Sequence, residues 1–231
     1  MKILNGYNYN YHKKNFQWLH KVGFSPLILS AGMHRSGSTL LFNILKEILA
    51  LKYETKLSSG WYGDFDKIQK GNAYLIKVHA LTILLRLRSK YIFYTYRDVR
   101  TAAVSANKVL NVPISIEEIR NGIKEYIKAK KIAILTIQYE QINGNTLDVI
   151  HDILNLLSIK ADADFIYNKC MNVKMPSGSF AAGHMDETLY HPGHITNTTD
   201  EEWRAKIPLS LQKEISHEFA WWFKECGYPI E

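Results

Sequence analysis

The stretch Leu27 to Thr39, LILSAGMHRSGST, most constrains what this chain can fold into. Leu27, Ile28 and Leu29 form an apolar run long enough for one buried parallel strand. LLFNILKEIL begins at Leu40, with apolar positions at helical spacing. Between them, Gly32 and Gly37 permit a tight turn whose backbone N–H groups converge on one point. The order strand, loop, helix aims the helix N-terminus at that same point. Ser36, Ser38 and Thr39 add hydroxyls, and Arg35 adds a planar cation. Such a loop is a cradle for a phosphate-like anion. A Walker A loop would carry Lys where Ser38 stands, so an ordinary Mg-dependent ATPase or GTPase is disfavoured.

The remainder bounds the class. A chain of 231 residues with 46% apolar content fits one α/β domain. The expected architecture over 1–231 is a single P-loop-like domain, with a central parallel sheet flanked by helices. Residues 1–23 read as an N-terminal edge segment with a short amphipathic helix near Lys13 to Lys21. A net charge of +7 suits an anionic ligand, but no nucleic-acid motif accompanies it. Cys170 and Cys226 have no CxxC spacing, which argues against a disulfide framework or metal site and for a reducing compartment. No apolar run approaches the ~18–20 residues of a membrane span, and the N-terminus lacks a signal-peptide core. The expectation is a cytoplasmic protein with no membrane partner.

Further along, 52–71 is a polar stretch too long for a plain connection and is read as a loop carrying a binding surface. Tyr74 to Val78 reads as a strand that delivers Lys77 and His79 to its C-terminal end. Ligands in open parallel sheets sit beyond those ends. His79 is thus a candidate general base and Lys77 a candidate anion contact. ALTILLRLR is a short helix, and Tyr91 to Tyr96 is a β-prone strand. Asp98 caps the next helix, and Arg97 and Ser105 can reach one phosphate. Arg100 reaches either that phosphate or solvent. Ser115 and Glu118 have capping-box spacing. Ile132 to Ile137 is expected as a fourth strand, followed by the amphipathic helix LDVIHDILNLLSI. Residues 171–199 show no period and read as a lid or substrate loop. Its His184, Asp186, His191 and His194 match no common zinc spacing. Leu209 to Cys226 is a final helix with Phe219, Trp221, Trp222 and Phe223 as core anchors and Gly227 as C-cap.

Three motifs in this order resemble the sulfotransferases that use 3′-phosphoadenosine 5′-phosphosulfate (PAPS). The family's loop [KR]-S-G-[TS]-T is Arg35-Ser36-Gly37-Ser38-Thr39 here, and its K-x-H is Lys77-Val78-His79. Its strand-R-[ND]-x-[KR]-x-x-x-x-S is Tyr96 to Ser105, and Gln138-Tyr139-Glu140-Gln141-Ile142 is similar to its R-Y-E-D-L. His191-Pro192-Gly193-His194 stands where the family has a late basic loop, without the usual Arg-Lys pair. Leu40 replaces a Trp that often stacks on adenine.

The resemblance implies a short bacterial-type enzyme moving sulfuryl from PAPS to a hydroxyl or amine of a small molecule, such as a natural product, and releasing 3′-phosphoadenosine 5′-phosphate (PAP). It implies that Arg35, Ser36, Gly37, Ser38 and Thr39 hold the 5′-phosphosulfate, that Arg97 and Ser105 hold the 3′-phosphate, and that Gly193 and His194 also bind the nucleotide. His79 would be the base, Arg35 and Lys77 would neutralise the leaving group, and no metal would be required. The acceptor surface would comprise Gly60 to Phe65 and Met175 to Tyr190, including Trp61, Tyr62, Phe180, Asp64 and Glu187. Two other readings stay open. One is an atypical P-loop kinase with Asp98 as its Mg-holding acid; the other is a non-catalytic nucleotide-binding module.

Overall fold

The computed structural model describes residues 17–64, 66–178, 183–193 and 202–230. Five strands form one all-parallel sheet: β1 (Leu27–Gly32), β2 (Leu57–Trp61), β3 (Ala73–Val78), β4 (Tyr91–Tyr96) and β5 (Leu135–Gln138), in the order β2-β3-β1-β4-β5. The helices are α1 (Ser38–Tyr53), α2 (Ile83–Arg88), α3 (Val99–Leu110), α4 (Ile116–Lys130), α5 (Tyr139–Gly144), α6 (Thr146–Leu157), α7 (Ala163–Met171), α8 (Glu202–Lys206) and α9 (Leu209–Cys226). Residues 17–22 are also helical, and the rest of the expected N-terminal helix lies outside the described residues.

β1 and β3 read as continuous apolar runs because a parallel strand is covered on both faces. Alternate residues feed two cores. Leu27, Leu29, Tyr74, Ile76 and Tyr94 pack with Trp18, Trp203, Trp222 and Phe223. Ile28, Leu75, Phe93 and Ile137 pack with α1, α6 and α7 through Leu41, Ile44, Ile153 and Ile166. Asp98 caps α3 by accepting from the Arg100 N–H, and Ser115 caps α4 by accepting from the Glu118 N–H. Gly227 ends α9 at φ 74°, where a side chain would be strained.

Three expectations need correction. The polar stretch after α1 contains β2, an edge strand with Ser58, Ser59 and Gly60 at its centre, so Leu135–Gln138 is the fifth strand of the sheet. Trp221 is not a core anchor: it is exposed, one position off the buried stripe of Phe219, Trp222 and Phe223. Arg100 points neither to a phosphate nor to solvent. It is wholly buried, paired to Asp98 and held between the rings of Trp203 and Phe223 at 4.0 and 4.1 Å.

Candidate functional site

β1 lies between β3 and β4, so the loops after these three strands meet at the C-terminal end of the sheet. The loop after β1 is pinned to β4. The Met33 N–H donates to the Thr95 carbonyl at 3.0 Å. The Ser36 hydroxyl lies 2.7 Å from the Met33 carbonyl, 3.1 Å from the Thr95 carbonyl and 2.7 Å from Thr95 Oγ1. Ser36 was expected to offer its hydroxyl to an anion. That hydroxyl is buried and engaged with Met33 and Thr95. Gly37 takes φ 81° at the N-cap of α1, where no side-chain cap bond is made.

A β-carbon at Gly32 would collide with Thr95 Oγ1 and lie 2.9 Å from Ser38 Cβ and 3.0 Å from Ser36 Oγ. Gly32→Ala is therefore expected to destabilise the protein by about 1–3 kcal/mol, the usual size of an overpacking effect. A wild-type urea midpoint for this variant would show that the loop yields without loss.

Around this loop the chain gathers cations. Arg35, itself at φ 64°, donates from Nε to Ser105 Oγ at 2.9 Å. The Arg97 guanidinium sits 3.9 Å over the Tyr139 ring. Burial and the neighbouring Arg97 charge lower the pKa of Arg35. Lys77 donates to Thr39 Oγ1 and lies 5.9 Å over Trp61. Burial, then Arg35, bring the Lys77 pKa down to about 7. The shifts come first from burial and second from the neighbouring cation, and a bound anion relieves that second cause. Arg35, expected with the loop, and Arg97 and Ser105, expected as a separate pair, thus form one cluster. Leu40, Tyr139, Ile142, Met171, Met175 and Tyr190 extend it into a largely apolar cleft.

His79 stands on the β3 side. Its Nδ1 is 2.8 Å from the Gly32 carbonyl. A carbonyl only accepts, so Nδ1 carries the proton and Nε2 keeps its lone pair. The His79 ring stacks on His34 at 4.0 Å and lies 5.3 Å from Trp61.

Residues 183–193 cross this region. Asn43 Nδ2 donates to the Thr188 carbonyl at 2.9 Å and Lys46 Nζ to the Glu187 carbonyl at 2.7 Å. His184 Nε2 lies 2.8 Å from Asp64 Oδ2, and Lys67 pairs with Asp186 at 3.0 Å. One ligating atom from each of Asp64, His184 and Asp186 falls within 4.8 Å of the others, and Lys67 already neutralises one corner. Burial, His184 and Lys77 lower the pKa of His191. Gly193 is exposed, and among the described residues no hydrogen bond ties it to the cations. His194, Phe65 and Phe180 lie outside the described residues. Tyr62 is not on the acceptor surface: it is buried and stacked on Trp18 at 5.9 Å. Tyr190 is also buried and borders the Arg35–Arg97 cleft.

Sequence reading missed His34 and Thr95. His34 was visible within the loop, but its partner His79 is remote in the chain and only folding joins them.

No family model matches the sequence, and no curated protein matches it significantly. Solved structures do resemble the fold. Mouse sulfotransferase SULT7A1 complexed with PAP aligns at TM-score 0.60 and 13% identity, over 87% of this chain and 84% of that one. Retinol dehydratase in complex with retinol and PAP aligns at TM-score 0.53 and 13% identity, over 87% and 81%. Retinol dehydratase with androsterone and inactive cofactor PAP aligns at 0.52 and 14%, over 86% and 80%. The chain therefore has the α/β, P-loop-like fold of a PAP-bound sulfotransferase, with an all-parallel five-stranded sheet. Among the described residues no helix is long and apolar enough to cross a membrane.

Proposed function

We propose that this chain is a sulfotransferase that moves a sulfuryl group from PAPS to a hydroxyl or amine of a small molecule. The convergence of Arg35, Lys77, Arg97 and Ser105 around the loop and N-terminus of α1 carries this reading. The donor set fits a ligand with two separate anionic groups. Backbone N–H groups of 36–39 and the α1 dipole suit one of them. Arg97 and Ser105, on the next strand end and helix, suit the other.

When bound, PAPS supplies a sulfuryl group on a phosphate leaving group. Arg35 and Lys77 provide the positive charge that a departing phosphate needs. His79 Nε2 takes the proton from the acceptor as its oxygen or nitrogen bonds to sulfur. The retinol dehydratase structures hold retinol and androsterone beside PAP, and a small organic acceptor is proposed here by that likeness.

The test is calorimetric titration with PAP beside AMP and ATP, without added metal. Tight binding of PAP alone is expected. Preference for ATP, or dependence on Mg²⁺, would discard the sulfotransferase reading. In the same assay Arg97→Ala should weaken PAP by the ~1.5–3 kcal/mol of a charge-assisted hydrogen bond. Affinity for AMP, which lacks the 3′-phosphate, should hardly change. Equal losses for both nucleotides would remove Arg97 from the 3′-phosphate.

A further inference from the structure

We propose that His34 is a positioning residue for His79: its neutral imidazole, stacked face to face, holds the His79 ring on the Gly32 carbonyl and supports the imidazolium that forms there. The inference rests on the assignment of His79 as the base. The ring centroids are 4.0 Å apart with 29° between the planes, and Gly32 accepts from Nδ1 at 2.8 Å. Two contacts thus fix one ring: an edge bond to β1 and a face contact from the loop that follows it. Trp61 closes a third side at 5.3 Å.

An imidazole at this spot has a chemical logic. In the transfer step the acceptor's O–H or N–H bond breaks, its proton goes to His79 Nε2, the new bond to sulfur forms, and the bridging oxygen departs on PAP. His79 then carries a positive charge against the face of His34. A neutral aromatic face stabilises that cation, whereas a second imidazolium would repel it. His34 is solvent-exposed, yet close enough to Lys77 and Arg35 to feel both charges. Desolvation by the surrounding protein, then those two charges, lower its pKa, so the ring stacked on His79 is uncharged at neutral pH.

The experiment is ¹⁵N-histidine NMR of the full chain, free and with PAP, for the wild type, His34→Ala and His34→Phe. In the wild type His79 is expected in the Nδ1–H form. In His34→Ala the ratio of Nδ1–H to Nε2–H at His79 should fall about threefold to tenfold, the range an aromatic pair supplies. His34→Phe keeps a neutral ring face and should restore the wild-type ratio. An unchanged ratio in His34→Ala, or no restoration by Phe, would overturn the inference. PAP calorimetry on the same samples tests the donor reading separately. Failure of the wild type to bind PAP removes that reading, whereas normal PAP binding with an unaltered His79 tautomer removes only the role of His34.

Discussion

Replacing His79 by alanine is expected to slow sulfuryl transfer by about 10²–10⁴-fold, the range of a general base, and to leave PAP affinity near wild type. The separation follows from geometry. The groups suited to the nucleotide's anions are Arg35, Arg97, Lys77, Ser105 and the backbone of 36–39, whereas the His79 ring is anchored through Nδ1 to the Gly32 carbonyl. The removed ring leaves the Gly32 carbonyl without its 2.8 Å partner, which alone could disturb the loop. His79→Gln answers that concern, because its amide can donate to Gly32 but cannot take up a proton at neutral pH. The two variants should therefore be similarly slow in single-turnover transfer to whichever acceptor a hydroxyl and amine panel yields. Near-normal turnover in both would sink the base assignment. Lys77, already brought down to about 7, would be the next proton acceptor to test.

Much of this site was legible because its parts are local. A strand, its terminal turn and the next helix occupy consecutive residues, so the loop at 32–39, Lys77-Val78-His79 and Arg97 with Ser105 each announced themselves. Parallel topology then brings strand ends together whatever lies between them. The misses have the opposite character. β2 was hidden because an edge strand half-covered by neighbours does not need an apolar run, and LSSGW lacks one. The contact between Ser36 and Thr95 was not legible because Thr95 sits on β4, far along the chain. Tyr62 and Trp221 are an aromatic pair whose environments are swapped relative to expectation: one is buried against Trp18, the other exposed. Helical spacing places a stripe only to within about one position, which is enough to misplace Trp221.

Arg100→Ala is expected to destabilise the fold by about 3–5 kcal/mol, the loss typical of breaking one partner of a buried ion pair. Arg100 is wholly buried. Its Nη2 lies 2.6 Å from Asp98 Oδ2 and 2.6 Å from the Pro229 carbonyl, and its Nε lies 3.0 Å from Asp98 Oδ1. Truncation would leave the Asp98 carboxylate and the Pro229 carbonyl facing a gap between Trp203 and Phe223. Asp98 would keep only its cap on α3, a bond from the Arg100 N–H at 2.9 Å. Against a typical 5–15 kcal/mol of total stability this is a large fraction. For a chain of this size it lowers the melting temperature by about 6–20 °C. Arg100→Lys keeps the charge but loses the fork and the flat stacking surface, so it should fall between the two. Urea unfolding measures all three proteins, and a wild-type midpoint for Arg100→Ala would show that the pair contributes nothing net. Arg97, on the same strand-to-helix turn, should behave in the opposite way. Its removal should weaken PAP binding while the urea midpoint stays near wild type, because its guanidinium borders the cleft beside Tyr139 whereas Arg100 ties α3 to α8, α9 and the C-terminal strap.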